Sequence, residues 1–259
     1  MKQSVFITIL IVVAFAIAFA IYMYVFGNPA NFADGVGREQ PLAGNLLGTI
    51  YTGGPLVVLL LMLSIMDVAI IFERMFSLKK AGGKRSTASF FKDVISYLDN
   101  SDYDAAIEAC DKQRGSVANV IKASLSRYQE LNSKDRKVEA EKQLQEVQRA
   151  VEEASMLETP LLEKNLIALS TIASIATMVG LLGTVIGMIR AFAAMARAGA
   201  PDAIQLAIGI SEALVNTAGG LITAIMGIVA YNYFVNKVDN FNYSVDEASY
   251  NVIQILKSK

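Results

Sequence analysis

One carboxylate stands inside a run of apolar residues long enough to cross a bilayer. Glu212 lies in the segment Leu206–Phe234, which otherwise carries no charge. A charged side chain at the bilayer centre costs about 2.5–3.5 kcal/mol on insertion scales, so a carboxylate there needs a compensating role. Polar Asn216 and Thr217 follow in the same segment and add side chains that can accompany an ion. Ion translocation is therefore the chemistry that we predict first.

Small and hydroxyl-bearing residues recur at helical spacing in two apolar segments. In Leu166–Ala191 they fall on one stripe, which comprises Ser170, Ala173, Thr177, Gly180, Thr184, Gly187 and Ala191. A second stripe in the later segment comprises Ala213, Thr217, Gly220, Ala224 and Gly227. Two interpretations remain open. The stripes, with pairs such as Gly183 and Gly187, pack helices closely within one chain, or they line a pore or a partner surface.

Composition favours a membrane protein and argues against several other classes. The chain has 259 residues, of which 54% are hydrophobic and 18% charged, and its apolar residues are clustered in blocks. A net charge of −1 gives no basic footprint for nucleic acid. The chain contains no His and a single Cys, Cys110, so metal sites, His-based catalysis and intrachain disulfides are poor hypotheses. We expect no enzyme activity and no cofactor.

Four blocks reach the roughly 20 apolar residues that cross a bilayer. They are Val5–Phe26, Gly54–Phe72, Leu166–Ile189 and Leu206–Phe234. The first block could be a signal peptide, but its apolar run of about 22 residues exceeds the usual 7–15, so we expect a retained helix. The fold class that we predict is all-α and integral to the membrane.

Lys and Arg are concentrated after the second and fourth blocks, which predicts that both termini and the large central segment are cytoplasmic. The resulting order is an extra N-terminal transmembrane helix (1–26), a periplasmic loop (27–51), a transmembrane helix (52–72), a cytoplasmic helical domain (73–165), a pore helix (166–192), a periplasmic turn (193–204), a second pore helix (205–236) and a cytoplasmic tail (237–259).

Helical patterns are recognisable outside the membrane as well. A short amphipathic helix is predicted around Leu42–Tyr51 in the periplasmic loop. The cytoplasmic segment has helical patterns at 89–98, 102–113 and 117–131. A long helix is predicted from Ser133 into the third span, starting at Ser133-Lys134-Asp135 and kinked at Pro160.

The paired segments resemble the pore helices of the ExbB/TolQ/MotA family of ion-driven motor subunits, and they are closest to its ExbB/TolQ branch. The resemblance is carried by GLLGTV with Thr184, by EALVNT with Glu212 and Thr217, and by Tyr231-Asn232, in order and spacing. It covers about Thr52 to Asn236. The sequence departs from the family pattern in having Thr177 where a Pro is common and Ile186 where a Trp is usual, and the first helix is an addition to the family's three spans.

The resemblance implies a stator subunit in the bacterial inner membrane that couples proton flow to work. It implies a homo-oligomeric ring, a pentamer, around a dimer of ExbD/TolR-like subunits, with membrane lipid outside and a TonB-like protein receiving the output. In it Thr184 and Thr217 line the pore with Thr177, Ser170 and Asn216, while Gly180, Gly183, Gly187 and Gly220 pack the helices. The translocated ion is expected to be H+, with Na+ left open.

Helical geometry separates the two central polar groups. At 100° per residue, Glu212 and Thr217 lie about 140° apart, so they cannot point in one direction. We expect Thr217 to face the pore and Glu212 to face a helix or subunit boundary, where it exchanges an ion or is buried and hydrogen-bonded. Asp67 is expected to be an interfacial cap or a partner of Arg74 or of another basic side chain, and a direct pair between Arg190 and Glu212 is possible.

Other outputs fit the same sequence. Within the motor class, a TolQ-like role in envelope constriction or a motility or secretion motor is the alternative, because pore similarity does not separate outputs. From other classes we considered a small-solute transporter, which should show inverted repeats or broken helices, and a passive scaffold, which would not need Glu212.

Overall fold

The chain is folded almost entirely into α-helices. The computed structural model describes residues 3–33, 35, 38, 40–133, 140–196 and 202–257. The helices are α1 (Gln3–Ala20), α2 (Leu46–Tyr51), α3 (Leu56–Ala81), α4 (Thr87–Asp99), α5 (Tyr103–Gln113), α6 (Ser116–Ser133), α7 (Ala140–Glu163), α8 (Leu166–Met195) and α9 (Ala203–Lys257). No strand occurs in these ranges, where a single isolated bridge joins Phe32 to Pro41. The predicted all-α class is confirmed.

Four helices are long and apolar enough to span a membrane, as predicted. They are a helix covering Ile7–Phe26, α3, the helical stretch that contains α8, and α9. The chain divides into two compact units. The membrane unit comprises Met1–Ile71 and Ile167–Tyr231, and the cytoplasmic unit, named after its predicted location, comprises Phe72–Leu166 and Asn232–Lys259.

The first helix joins the membrane unit through small and aromatic residues. Ala18 and Tyr22 are buried against Val57 and Val58 of α3. The remaining face of α1 leaves large apolar side chains such as Val12 exposed. A helix that is apolar all round is typical of a membrane span, since lipid solvates the face that protein does not cover.

The loop between the first and second spans is held by two asparagines, Asn31 and Asn45. After α1 a π-helical turn spans Ile21–Phe26, and the Asn31 side chain donates to the carbonyls of Val25 and Phe26 at its end. The Asn45 side chain accepts hydrogen bonds from two backbone N–H groups of α2 and donates to Asn31 Oδ1 at 3.1 Å. Such side-chain bonds replace partners that helix ends lack. A helix was predicted around Leu42–Tyr51, and α2 forms its second half.

The cytoplasmic unit has its own apolar core. Helices α4, α5 and α6 confirm the three predicted helical patterns, and Ser86 and Asp102 cap the first two of them through Ser89 N and Ala105 N. Buried side chains from these helices include Val94, Leu98, Cys110, Ile121 and Leu125. Because each helix is polar on its outer face, this one-sided burial is what makes the unit compact.

The C-terminal tail is a helix, which we did not predict. Helix α9 continues through 237–257, and Val245, Ala248, Val252 and Leu256 are buried in the core of the cytoplasmic unit. Their spacing of three and four residues is the helical signal that could have revealed this segment. The predicted segment 237–259 is therefore part of a folded unit over its described residues.

The long helix that we predicted into the third span is interrupted, but not at its proline. Helix α7 passes through Pro160 and ends at Glu163, and α8 starts at Leu166 after a turn in which Asn165 has φ +63°. That left-handed conformation favours Asn over most other residues. The predicted start at Lys134 and Asp135, and residues 197–201 of the predicted periplasmic turn, lie outside the described residues.

Candidate functional site

Glu212 forms an ion pair with Arg190 inside the membrane unit. Arg190 Nη1 donates to both carboxylate oxygens, at 2.7 Å to Oε1 and 2.6 Å to Oε2. The Glu212 side chain is 2% exposed and that of Arg190 is 57% exposed. The pair left open by the sequence is thus formed, and it compensates the only charge within the fourth apolar segment.

A glycine makes room for this carboxylate. Gly54 precedes α3 with φ +74°, and a Cβ on it would lie 2.9 Å from Glu212 Oε1. The position therefore excludes a side chain both by conformation and by space. Sequence reasoning did not single out Gly54, although the Gly53-Gly54-Pro55 sequence is a turn signal next to a span.

Asn216 ties helix α9 to the same turn. Its Nδ2 donates to Gly53 O at 2.7 Å and to Glu212 O at 2.9 Å. The Thr52 and Ser211 hydroxyls add a third polar contact at 3.0 Å. Glu212 and Asn216 therefore face the turn before α3, with Arg190 of α8 beside them. Thr52 and Ser211 are site residues that the sequence analysis missed.

Thr217 lies on the opposite side of α9 from Glu212, where it faces α8. There it forms a hydrogen bond with Thr184 of α8. Each also lies within hydrogen-bond distance of a carbonyl of its own helix, Thr184 of Gly180 O at 3.3 Å and Thr217 of Ala213 O at 3.0 Å. Two hydroxyls supply only two hydrogens for these three contacts. One threonine therefore donates its hydrogen to the other threonine, which donates its own hydrogen to a carbonyl of its helix. Thr184 and Thr217 can exchange these two roles.

The small-residue stripes pack α8 against α9 within the chain. A Cβ on Gly180 would lie 3.1 Å from Gly220 Cα, and one on Gly187 would lie 2.5 Å from Ala213 N. A Cβ on Gly183 would meet the Asn216 side chain. The packing interpretation is thus observed. Thr177 donates to Ala173 O at 3.1 Å and Ser170 is half-buried, and the pore-lining role of the hydroxyls stays a prediction.

The prediction that Asp67 pairs with Arg74 is wrong. Arg74 is 1% exposed, and its guanidinium donates to both oxygens of Glu73 and to Leu162 O. Asn165 Nδ2 donates to the same Glu73 carboxylate at 3.2 Å. This cluster ties α3 to the turn between α7 and α8. Asp67, by contrast, is fully buried, and neither of its oxygens has a hydrogen-bond partner among the described residues.

Two titratable groups of the cytoplasmic unit, Glu146 and Cys110, have pKa values shifted by their surroundings. A hydrogen bond from Arg127 lowers the pKa of the Glu146 carboxyl at the α6–α7 contact. Burial raises the pKa of the Cys110 thiol to about 12. No cluster of three or more His, Cys, Asp or Glu side chains suited to a metal ion occurs in the described part of the chain.

The sequence matches a family model described as the MotA/TolQ/ExbB proton channel family over residues 113–247, which is half of the chain. The chain belongs to this family. Its matched region contains Thr184, Arg190, Glu212 and Thr217. The motif resemblance is thus confirmed, and these four polar groups belong to the part of the chain that matches the family.

Relatives of both named branches are found. The Tol-Pal system protein TolQ of Pseudomonas aeruginosa is 30% identical over 72% of this chain and 81% of its own length. The biopolymer transport protein ExbB of Helicobacter pylori is 46% identical over 30% of this chain and 54% of its own length. ExbB of Pseudomonas putida is 33% identical over 34% of this chain and 27% of its own length. The match thus spans a quarter to about half of these ExbB relatives.

Proposed function

We propose that this chain is the proton-channel stator subunit of an ExbB–ExbD-type motor in the bacterial inner membrane. In this role it converts the proton motive force into mechanical work for TonB-dependent transport across the outer membrane. The observation that carries the proposal is the buried Glu212 of α9, paired with Arg190 inside the family-matched region. Maintaining a charge pair within a membrane unit is costly, which favours a functional role over a structural one.

The working assembly in this proposal is a pentameric ring around two helices of an ExbD/TolR-like dimer. Each partner helix brings an acid that carries the proton. Protonation removes its charge and lets it pass the apolar wall of the ring, and release on the cytoplasmic side completes a step. A membrane potential of 100 mV supplies about 2.3 kcal/mol per charge, so a few protons can drive a conformational cycle.

In this cycle the two threonines accommodate the partner's acid while it is protonated and therefore uncharged. Their hydroxyls have one hydrogen too few for the contacts available, so a small rotation frees a donor or an acceptor. A protonated acid passing the helix pair can then hydrogen-bond to Thr184 or Thr217 without leaving a buried polar group unpaired. Glu212, fixed by Arg190, supplies a constant field at the other side of α9.

A TolQ-like role in envelope constriction is the second candidate. It is favoured by one observation: the match to TolQ of Pseudomonas aeruginosa extends over 72% of this chain, against 34% or less for the ExbB relatives. The two roles share a proton path and differ in the protein that receives the work. Complementation of host strains lacking either system separates them, since each role restores one phenotype only.

The first experiment measures partner-dependent proton uptake. The full chain is co-purified with an ExbD-like partner protein and reconstituted into vesicles under a pH gradient. We expect uptake that requires both proteins, falls about tenfold or more in Thr217→Val, and survives in Thr217→Ser, which retains the hydroxyl. Glu212→Gln should also abolish uptake.

Two outcomes would contradict the proposal. Uptake by the chain alone, without a partner, would indicate a channel or transporter rather than a stator. Assembly with the partner but equal uptake in wild type, Thr217→Val and Glu212→Gln would indicate a passive scaffold.

A further inference from the structure

Asp67 is a buried acid in the membrane unit that the proton path described above does not use. It lies in α3, its side chain is fully buried, and neither oxygen has a hydrogen-bond partner among the described residues. A buried carboxylate without a partner is among the costliest groups that a fold can contain. An aspartate at this position therefore calls for an explanation, either by its protonation state or by a role in function.

The space around Asp67 is shaped by a glycine of α9. A Cβ on Gly227 would lie 2.9 Å from Asp67 Oδ2, 3.1 Å from Ala173 Cβ and 3.2 Å from Leu169 O. The carboxyl therefore sits where α3, α8 and α9 meet, and Gly227 leaves it room. The backbone oxygen nearest to that Cβ position is Leu169 O, which can only accept a hydrogen bond.

Among the described residues, no basic group compensates a negative charge at Asp67. On α3, Arg74 is engaged by Glu73 and by Leu162 O. On α8 and α9, the charged groups of the membrane unit are Arg190 and Glu212, which pair with each other. The fifteen residues from Glu212 to Gly227 span about 22 Å of helix, so that pair is remote from Asp67.

The geometry points to Asp67 as a second proton-binding site, which holds a proton in the folded chain. A neutral acid avoids the cost of an uncompensated charge and has a hydrogen to donate, whereas a carboxylate at this buried position has neither advantage. In the proposed cycle this proton exchanges with water. The Oδ–H bond then breaks, its electrons stay on the carboxylate, and water takes the proton.

This site extends the proposed function and rests on it for its role in transport. Along α9, Thr217 lies between Glu212 and Gly227, so the three polar levels are Glu212, the threonine pair and Asp67. A proton leaving the threonine level toward the cytoplasmic end would meet Asp67 next. The bound proton itself is a property of the folded chain and does not depend on that role.

Infrared spectroscopy of the full chain in lipid nanodiscs tests the bound proton. With carboxyl-13C aspartate, we expect a protonated-carboxyl band at neutral pH that shifts to lower frequency with the label. The band should be lost in Asp67→Asn and retained in Asp93→Asn, which removes an exposed, ion-paired aspartate. Gly227→Ala should shift the band, because its methyl group would occupy the space beside Oδ2.

The labelled wild type alone keeps the test decisive if Asp67→Asn fails to fold. The absence of any label-shifted band at neutral pH would overturn the inference. Proton uptake with the partner then tests the transport role, for which we expect a fall of about tenfold or more in Asp67→Asn. Normal uptake in that variant would overturn the role, whereas a wild type with the band but without uptake would overturn only the proposed function.

Discussion

At the scale of single residues, the two buried acids that the structure describes in the membrane unit, Asp67 and Glu212, have different surroundings. Glu212 is compensated by the guanidinium of Arg190, while Asp67 has no basic partner among the described residues. Compensation and protonation are the two ways to reduce the cost of a buried acid. Removing the cation therefore leaves an uncompensated carboxylate at Glu212, whereas Asp67 has no ion pair to lose.

Arg190→Gln should destabilise the chain by about 1–3 kcal/mol, because it leaves the Glu212 carboxylate buried without its cation. The exposure of Arg190 keeps the loss below that of a fully buried pair. Arg190→Gln/Glu212→Gln should regain much of the loss, since both charges are removed. Thermal unfolding in detergent measures both variants, and a double variant no more stable than the single one would contradict the pairing.

Cys110 should be nearly inert in the folded chain. Burial raises the pKa of its thiol to about 12, above the usual 9.0, so only about one thiol in ten thousand is ionised at pH 8. Maleimide labelling should therefore be fast only after unfolding, while Lys112→Cys in a Cys110→Ala background should label at once. Because the neutral thiol favours folding, its contribution to stability is complete below about pH 9 and is lost as the pH rises toward 12. Rapid labelling of native Cys110 would contradict its burial.

At the scale of elements, the contact between α8 and α9 depends on glycines, which have no side chain to separate the two helices. Small residues on both helices allow their backbones to approach closely, which is the main source of helix association in lipid. The cluster of Arg74 and Glu73 has the corresponding role in the cytoplasmic unit, where it binds the end of α7 and the turn after it. A close approach of two helix backbones depends on which positions carry glycine, so neighbouring glycines can differ in their effect.

Adjacent glycines of α9 provide a matched test of this packing. A Cβ on Gly220 would lie 2.6 Å from Ala176 O and 2.9 Å from Gly180 Cα, whereas one on Gly219 would meet only Leu60 Cδ1 at 3.4 Å. Gly220→Ala should therefore destabilise the chain by about 1–3 kcal/mol. Gly219→Ala should be neutral or slightly stabilising, since Ala favours helix. Thermal unfolding compares the two, and equal effects would contradict the close approach of α8 and α9.

At the scale of the whole molecule, the proposed function requires a defined orientation in the membrane. The excess of Lys and Arg after the second and fourth spans predicts that both termini and the cytoplasmic unit lie inside the cell. The loop between the first two spans is then periplasmic. In the proposed motor, this orientation sets the direction of proton flow.

Single cysteines test this orientation. In a Cys110→Ala background, Gln40→Cys should react with a membrane-impermeant maleimide in intact spheroplasts, because it lies in the outer loop and is exposed. Lys112→Cys, also exposed, should react only after lysis. Labelling in the reverse pattern would invert the topology and, with it, the proposed direction of proton flow.

The sequence by itself determined the class, the spans and the family. Hydrophobic length fixes which segments cross a bilayer, and the motifs around Thr184, Glu212 and Thr217 are local patterns that need no fold to be recognised. The angle between Glu212 and Thr217 on one helix was also predictable, because helical geometry is regular. The local helices α4, α5 and α6 followed from periodicity.

Only the tertiary structure decided which side chains meet. The ion pair of Arg190 with Glu212 and the packing of the glycine stripes join residues on different helices. Arg74 had two acids near it in the sequence, and the structure pairs it with Glu73 rather than with Asp67. Periodicity places a residue on a face but does not say which helix covers that face. The depth of Asp67 beside Gly227 depends on the packing of three helices, so it could not be derived from any one segment.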